Sequence, residues 1–125
     1  MKEFLNFTLI LVACFGLVTL VNAASKYATL GGGSNTGWVT RNSTPDAFYT
    51  RVAADAVTGT PTVKTSIQRQ VLWIWSTGGT HTFSTNSAGT YTTNWTGKGT
   101  NNTRAMWENT ASASTTIRAN FILDV

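Results

Sequence analysis

The 125-residue chain has few of the side chains that carry enzyme chemistry: one cysteine, one histidine and five acidic residues. A nucleophile needs a base beside it, yet His81 and Ser84 would point to opposite faces of a strand. Glu108 could form a glycosidase pair with Asp46, Asp55 or Asp124, and nothing in the sequence favours one of these pairs over another. No grouping of His and Cys or of Asp and Asn indicates a metal shell. We therefore predict a non-enzymatic protein with no cofactor and no metal.

The single cysteine, Cys14, lies in an apolar run from Phe4 to Val21 near the N-terminus. Lys2 precedes the run, and Val21-Asn22-Ala23 ends it with small residues where signal peptidase needs them. We predict a signal peptide over residues 1–23, cleaved before Ala24, and hence a secreted, extracellular protein. Two alternatives remain open. The run is long enough to stay as a membrane anchor, and Leu11 to Cys14 fits a lipidation motif.

Residues 24–125 contain no cysteine, which excludes a disulfide framework, and their number suits a single domain. They keep eight of the nine basic residues and four of the five acidic ones, a net charge of +4. This balance favours an anionic cell-surface component as partner: a wall precursor, teichoic acid, lipid head group or glycan. The alternative is that the charge only keeps the domain soluble. The sequence indicates neither a nucleic-acid partner nor an obligate protein partner.

Short runs of alternating apolar and polar residues, rich in Thr, Trp, Tyr and Val, predict β-strands. The clearest run extends from Val63 to Trp75, and its predicted polar face carries Lys64, Ser66, Gln68 and Gln70. Gly78-Gly79 is predicted as the turn after it. The other predicted strands are a hairpin of Thr80–Thr85 and Thr90–Thr96, then Arg104–Ala113, then Ile117–Val125. Together they predict an all-β fold, a small antiparallel β-sandwich or barrel.

Two stretches give a less regular pattern. Residues 24–44 include the glycine-rich segment Gly31 to Gly37, so we predict a flexible Gly-rich arm there. Thr44-Pro45-Asp46 has the features of a helix start, with a capping residue, a proline and an acid. The alternation from Phe48 to Ala54 fits a strand equally well, and both alternatives remain open.

Five tryptophans are many for this length. Buried indoles pack in cores, whereas exposed ones stack on sugar rings or lie at membrane interfaces. Trp73 and Trp75 belong to the apolar face of the predicted strand, so we predict that they lie in the core. Trp38, in the Gly-rich arm, and Trp95, beside the Lys98 turn, are the better ligand candidates. Arg104, close to Trp107, would add a cationic group. Such a patch would hold a phosphorylated glycolipid or acidic glycan by stacking and charge.

The segments Gly97-Lys98-Gly99-Thr100, Arg104-Ala105-Met106-Trp107 and Ala119-Asn120-Phe121 resemble the C-terminal part of the lactococcin-type bacteriocins. Members of that family are small, basic, disulfide-free β-sandwich proteins secreted through a cleaved signal peptide. The resemblance implies an antibacterial protein that engages the wall precursor lipid II, with Lys98, Arg104 and Trp107 as contacts. It is confined to the C-terminal third of the chain.

Three functions remain open at this point. The first is a secreted non-enzymatic effector or binding protein acting at an anionic cell surface, bacteriocin-like in its antibacterial form. The second is a glycan-binding or extracellular matrix module. The third is a β-type pore-forming toxin. It ranks last because a membrane strand needs alternating apolar residues over about 9–11 positions, whereas Thr80 to Thr93 offers only Phe83 and Tyr91.

Overall fold

Eight β-strands make up most of residues 24–125, the part of the chain that the computed structural model describes. They are β1 (Ala24–Gly31), β2 (Val39–Thr44), β3 (Ala47–Thr58), β4 (Thr62–Val71), β5 (Ile74–Ser84), β6 (Gly89–Thr96), β7 (Asn101–Asn109) and β8 (Thr116–Asp124). The predicted signal peptide and Cys14 lie outside the described residues. Within residues 24–125 no helix is long and apolar enough to cross a membrane.

The strands form two antiparallel sheets of four strands each. Sheet 1 has the order β1-β8-β3-β6, and sheet 2 has the order β2-β7-β4-β5. Only β4 and β5 are consecutive strands that pair with each other, because every other connection crosses from one sheet to the other. The all-β prediction is confirmed, and of the two architectures that it left open the structure has the sandwich-like one.

The core lies between the sheets, where alternate residues of most strands face inward. Trp107 on β7 has no exposed surface and packs against Phe121 on β8 with ring centroids 5.5 Å apart. Aromatic residues bury about 150–250 Å² each, so this pair supplies much of the apolar burial. Since residues 24–125 contain no cysteine, packing and hydrogen bonding hold the two sheets together.

The predicted flexible arm at residues 24–44 is largely wrong, because it contains β1 and β2. The whole of β1 pairs with β8, from Ala24 opposite Leu123 to Gly31 opposite Thr116. Only residues 32–38 remain between the two strands. The helix alternative after Pro45 is wrong as well, since Ala47–Thr58 forms β3. Pro45 precedes that strand, where its missing N–H removes no ladder hydrogen bond.

The strand predicted from Val63 to Trp75 is interrupted by a reversal of the chain. Leu72 and Trp73 form a two-residue turn, and Val71 pairs with Ile74 across it. Leu72 has a φ of 58°, a conformation that usually requires glycine. None of the usual turn residues marks this reversal, so the alternation on either side reads as one strand.

The glycine pair predicted as a turn, Gly78-Gly79, instead lies inside β5. The pairing of β5 with β4 shifts there, with Ile67 opposite Gly79 and Gln68 opposite Thr77, which marks a bulge. A Cβ on Gly78 would lie 3.0 Å from the Ile67 Cγ2 atom, so a larger residue there would have to displace the Ile67 side chain.

The hairpin predicted from Thr80–Thr85 and Thr90–Thr96 is also wrong in its pairing. Both segments are strands, but β5 belongs to sheet 2 and β6 to sheet 1. Phe83 and Tyr91 stack between them with ring centroids 4.9 Å apart. The loop that joins them therefore crosses the edge of the sandwich.

Candidate functional site

The outer face of sheet 2 carries a cross-strand row of polar side chains. On β4 the inward residues are buried and Lys64, Ser66, Gln68 and Gln70 lie on the opposite face, which confirms the predicted polar face of this strand. Across the β4–β7 pair, the Asn102 Nδ2 atom donates to the Gln70 Oε1 atom at 3.0 Å. The next pair along the same face joins Gln68 to Arg104.

Arg104 is held in place by three side chains on this face. Its Nε and Nη2 atoms donate to the Gln68 Oε1 atom at 2.9 and 2.6 Å. Its Cζ atom lies 4.3 Å from the ring centroid of Trp38 and 4.4 Å from that of Trp75. Each such cation–π contact contributes about 0.5–1 kcal/mol at an exposed site. We call Trp38, Gln68, Trp75 and Arg104 the Arg104 platform.

The platform depends on how the neighbouring backbone is placed. The loop before β2 is tied to β7, because Thr36 N donates to the Trp107 carbonyl and Trp107 N donates to the Thr36 Oγ1 atom. Trp38 follows directly and so lies beside β7. Trp75 pairs with Gln70, and the reversal at Leu72-Trp73 sets this register. The reversal thus brings Trp75 to the same face as Arg104.

A shallow cavity of about 260 Å³ lies beside the platform. Its lining includes two platform residues, Trp38 and Gln68, together with Met106 and three residues that carry hydroxyls, Ser66, Thr77 and Thr80. Most of the lining surface is apolar. Ile67 and Gly79, which pair across β4 and β5 at the bulge, also line it. An indole, an amide and hydroxyls around a cavity of this size suit one polar ring such as a sugar.

The charges around the platform leave Arg104 free of acidic partners. Lys64 lies opposite Glu108 on the same face, so these two charges offset each other. Among residues 24–125 no carboxylate forms a salt bridge with Arg104. The Arg104 Nη1 atom makes no hydrogen bond to a described residue. The platform therefore offers a positive charge and a free donor to an anion.

Two of the eight basic residues in residues 24–125 contribute little to the positive charge of the protein surface. Arg41 and Arg69 are only 7% and 8% exposed and face the interior of the sandwich. Arg69 donates to the carbonyls of Thr44, Pro45 and Gly99, and burial lowers the pKa of its guanidinium. The charge that faces solvent is consequently smaller than the composition indicates.

The five predicted ligand residues do not come together in one place. Trp38 and Arg104 are in contact on the platform. Trp107 lies on the inward face of β7, which packs in the core, and it is fully buried. Its indole therefore cannot serve as a surface contact. Trp95 faces inward as well, and its Nε1 atom donates to the Thr50 Oγ1 atom at 2.9 Å. Lys98 is exposed in the β6–β7 loop, apart from the platform.

The structure places the two tryptophans predicted for the core at the surface. Trp73 is 82% exposed at the β4–β5 turn, and Trp75 is half-buried on the platform. Trp75 and Gln68 are the platform residues that the candidate set lacks. The alternation did place Gln68 on the polar face, but only knowledge of the reversal at Leu72-Trp73 would have moved Trp75 there.

A second side-chain cluster lies on the outer face of sheet 1. The Arg118 Nε atom donates to the Asp55 Oδ1 atom at 2.8 Å, and the Tyr27 hydroxyl donates to the other carboxylate oxygen. The hydrogen bond from Arg118 lowers the pKa of Asp55, while the hydrogen bond to Asp55 raises the pKa of Tyr27. This exposed cluster links β1, β8 and β3, and each polar group is engaged with another.

Within residues 24–125 no three potential metal-ligating side chains come together. Neither the protein-family models nor the curated proteins provide a match to this chain. The functional proposal is therefore based on the geometry of the outer face of sheet 2.

Proposed function

We propose that the protein is a non-enzymatic binding protein that acts outside the cell at an anionic cell surface, and that the Arg104 platform holds an anionic saccharide there. The observation that supports this most directly is the guanidinium of Arg104, fixed against two indoles and one amide on an exposed sheet face. A cation fixed in this way loses little side-chain entropy when it binds an anion.

The chemistry of the platform suits a sugar that carries a phosphate or carboxylate. The free Nη1 atom of Arg104 can donate a charge-assisted hydrogen bond, which contributes about 1.5–3 kcal/mol. Trp38 is 39% exposed, so part of its indole is available to stack on the apolar face of a sugar ring. Ser66, Thr77 and Thr80 line the adjacent cavity, and their side chains carry hydroxyls that can pair with the hydroxyls of that ring.

A fluorescence titration tests this proposal. Teichoic acid supplies both sugar and phosphate, whereas dextran supplies only neutral sugar and polyphosphate supplies only charge. We expect teichoic acid to bind most tightly. Arg104→Gln should weaken that binding by about 10–100-fold, which corresponds to the loss of one charge-assisted hydrogen bond. The free protein should stay folded, because Arg104 is only partly buried.

Arg51→Gln is the matched control for that titration. Arg51 lies on the outer face of sheet 1, beside Tyr49 and bonded to Thr92, and its replacement removes the same net charge. We expect teichoic acid affinity close to wild type. Equal losses in the two variants would show that the polymer binds through net charge alone, and the platform would then have no specific role.

A neutral glycan is the second candidate ligand, favoured by the shallow, largely apolar cavity that Trp38 lines. In that case dextran or another neutral polysaccharide would bind as well as teichoic acid. Trp38→Ala would abolish binding while Arg104→Gln would leave it largely intact. Such a result would identify a glycan-binding or extracellular matrix module.

The antibacterial form of the proposal makes the ligand a phosphorylated wall precursor such as lipid II. Growth-inhibition zones on Gram-positive indicator strains and a lipid II pull-down test it together. We expect both signals for the wild-type protein and their loss in Arg104→Gln. If the wild-type protein gives neither, the bacteriocin-like function is excluded, whereas binding to teichoic acid would still support the wider proposal.

A further inference from the structure

The turn between β4 and β5 presents four consecutive large apolar side chains to solvent. Val71, Leu72, Trp73 and Ile74 are 54%, 79%, 82% and 61% exposed. They are four of the seven exposed large hydrophobic residues in the described part of the chain. Exposed apolar residues normally occur singly, whereas a cluster marks a surface that meets something apolar. We call residues 71–74 the apolar tip.

The backbone of the apolar tip is strained to hold these side chains outward. Leu72, at the first position of the two-residue turn, has a φ of 58°. Glycine normally occupies such a site, since a side chain at positive φ is disfavoured. The Leu72 side chain is 79% exposed and gains little packing in return. Folding alone therefore does not explain a leucine here, and strain of this kind points to a function.

The area of the apolar tip argues against a protein partner. A stable protein interface buries about 800 Å² on each side. An indole buries at most about 250 Å², so four side chains that are 54–82% exposed supply roughly half to two thirds of that area. The tip is also a tight two-residue turn at the end of a hairpin. A deformable apolar phase suits such a tip better than a second protein surface.

The residues behind the apolar tip become progressively more polar and then cationic. Gln70 and Trp75 form the next pair along the hairpin, and the Asn101 Nδ2 atom donates to the Gln70 carbonyl. Lys98 is exposed in the β6–β7 loop, which Arg69 joins to the strand leading to the tip. Arg104, bonded to Gln68, lies about 13 Å behind Leu72 at the usual rise per strand residue.

This order matches the cross-section of an anionic bilayer surface. The acyl boundary accepts apolar side chains to a depth of about 5–10 Å. Indoles favour the zone above it, and the phosphates beyond attract Lys and Arg. We propose that the apolar tip inserts into the interfacial layer of an anionic lipid bilayer, with Trp75, Lys98 and Arg104 facing the head groups. The insertion shares Trp75 and Arg104 with the platform, but it does not require the saccharide proposed there.

Vesicle partitioning tests the insertion. The purified protein is incubated with vesicles of equal parts phosphatidylcholine and phosphatidylglycerol, or of phosphatidylcholine alone, and the bound fraction is separated by flotation. We expect tighter partitioning to the anionic vesicles. The double variant Leu72→Gly/Trp73→Ser should lower the partition coefficient at least about tenfold, because it removes the two most exposed apolar groups. Its turn should still form, since glycine accepts the φ of residue 72.

Tyr27→Ser is the control variant for partitioning. It removes an aromatic side chain that is 58% exposed on sheet 1, and it should leave partitioning unchanged. The N-terminal apolar run is common to all variants, so it cannot produce a difference between them. Acyl chains brominated near the carbonyl should also quench the tryptophan fluorescence of the wild-type protein more strongly than that of Trp73→Ser.

Three results would overturn the proposal: no binding of the wild-type protein to either vesicle, unchanged partitioning of the double variant, or a solution dimer that the double variant abolishes without any vesicle binding. The last result would assign the apolar tip to self-association. None of them bears on the platform, because the teichoic acid titration is carried out without lipid.

Discussion

Replacing Arg69 tests whether a buried cation holds the hairpin end of the sandwich together. Its Nη2 atom donates to the carbonyls of Thr44 and Gly99 at 2.9 and 3.0 Å, and to the Asn101 Oδ1 atom at 3.3 Å. Its Nη1 atom donates to the Pro45 carbonyl at 3.3 Å. One side chain thus joins the β2–β3 and β6–β7 turns to β4.

The magnitude of the loss in Arg69→Met follows from these four bonds. A hydrogen bond from a charged donor contributes about 1.5–3 kcal/mol, and the acceptors that lie near the surface regain water after the replacement. Removing the charge also removes its desolvation cost. If two of the four hydrogen bonds are lost without replacement by water, and the removed desolvation cost offsets part of that loss, the free energy of unfolding falls by about 2–4 kcal/mol. For a domain of this size the melting temperature would fall by roughly 10–25 °C.

Thermal and urea unfolding followed by circular dichroism measure this effect. Gly97→Ala provides an independent perturbation, because a Cβ there would lie 2.4 Å from the Arg69 Nη1 atom and would displace the guanidinium. We expect a comparable loss. Arg51→Met, at a partly exposed arginine on the outer face of sheet 1, should change stability by less than about 0.5 kcal/mol. A loss below about 1 kcal/mol in both Arg69→Met and Gly97→Ala would refute the structural role of Arg69.

Three further predictions concern the turn, the sheet 1 cluster and the core. Leu72→Gly should raise the free energy of unfolding by roughly 0.5–1 kcal/mol in urea titrations, since relief of about 1–2 kcal/mol of strain exceeds the entropic cost of glycine. Asp55 has a lowered pKa in the folded state, so its contribution to stability is present above the unfolded pKa and lost as the pH falls through the folded one. The melting temperatures of wild type and Arg118→Gln should therefore differ at neutral pH and converge in acid, and a constant difference would contradict this. Trp107→Ala should cost about 3–5 kcal/mol and leave the protein largely unfolded at 37 °C by near-ultraviolet circular dichroism.

The alternation of apolar and polar residues predicts strand positions and inward faces well, because one face of most strands is buried. Val63 and Ile67 lie inward on β4 with the polar residues opposite, as the alternation predicts. The last strand was placed within one residue, from Thr116 to Asp124. A period of two depends only on residues close in sequence, so it can be recognised without knowing which strands pair.

The pairing of strands was harder to predict, because it depends on contacts between residues that are distant in sequence. The loop between Thr85 and Gly89 has the composition of a hairpin turn, yet it crosses between the sheets. At Leu72 the strained turn has no glycine or asparagine to mark it. A two-residue reversal there changes which side chains share a face, and it alone determines that Trp75 meets Arg104.

The residue types of the platform were partly predictable and their arrangement was not. Trp38 and Arg104 are both in the predicted candidate set, and the structure places them in contact. The family resemblance implies Trp107 as a contact beside Arg104, but their odd spacing puts Trp107 on the inward face of β7. Burial of Arg41 and Arg69 likewise cannot be read from a count of charges, since both act as hydrogen-bonding or ionic partners inside the sandwich.

The most direct test of the proposed saccharide site is a heteronuclear NMR spectrum of the five indole N–H groups during titration with teichoic acid. Each tryptophan reports from a different environment. Saccharide binding at the platform predicts that the Trp38 and Trp75 signals shift with the same apparent affinity, that the buried Trp107 signal stays in place, and that Arg104→Gln suppresses the shifts. Binding accompanied by shifts only at other indoles, or by the same shifts in Arg104→Gln, would contradict it.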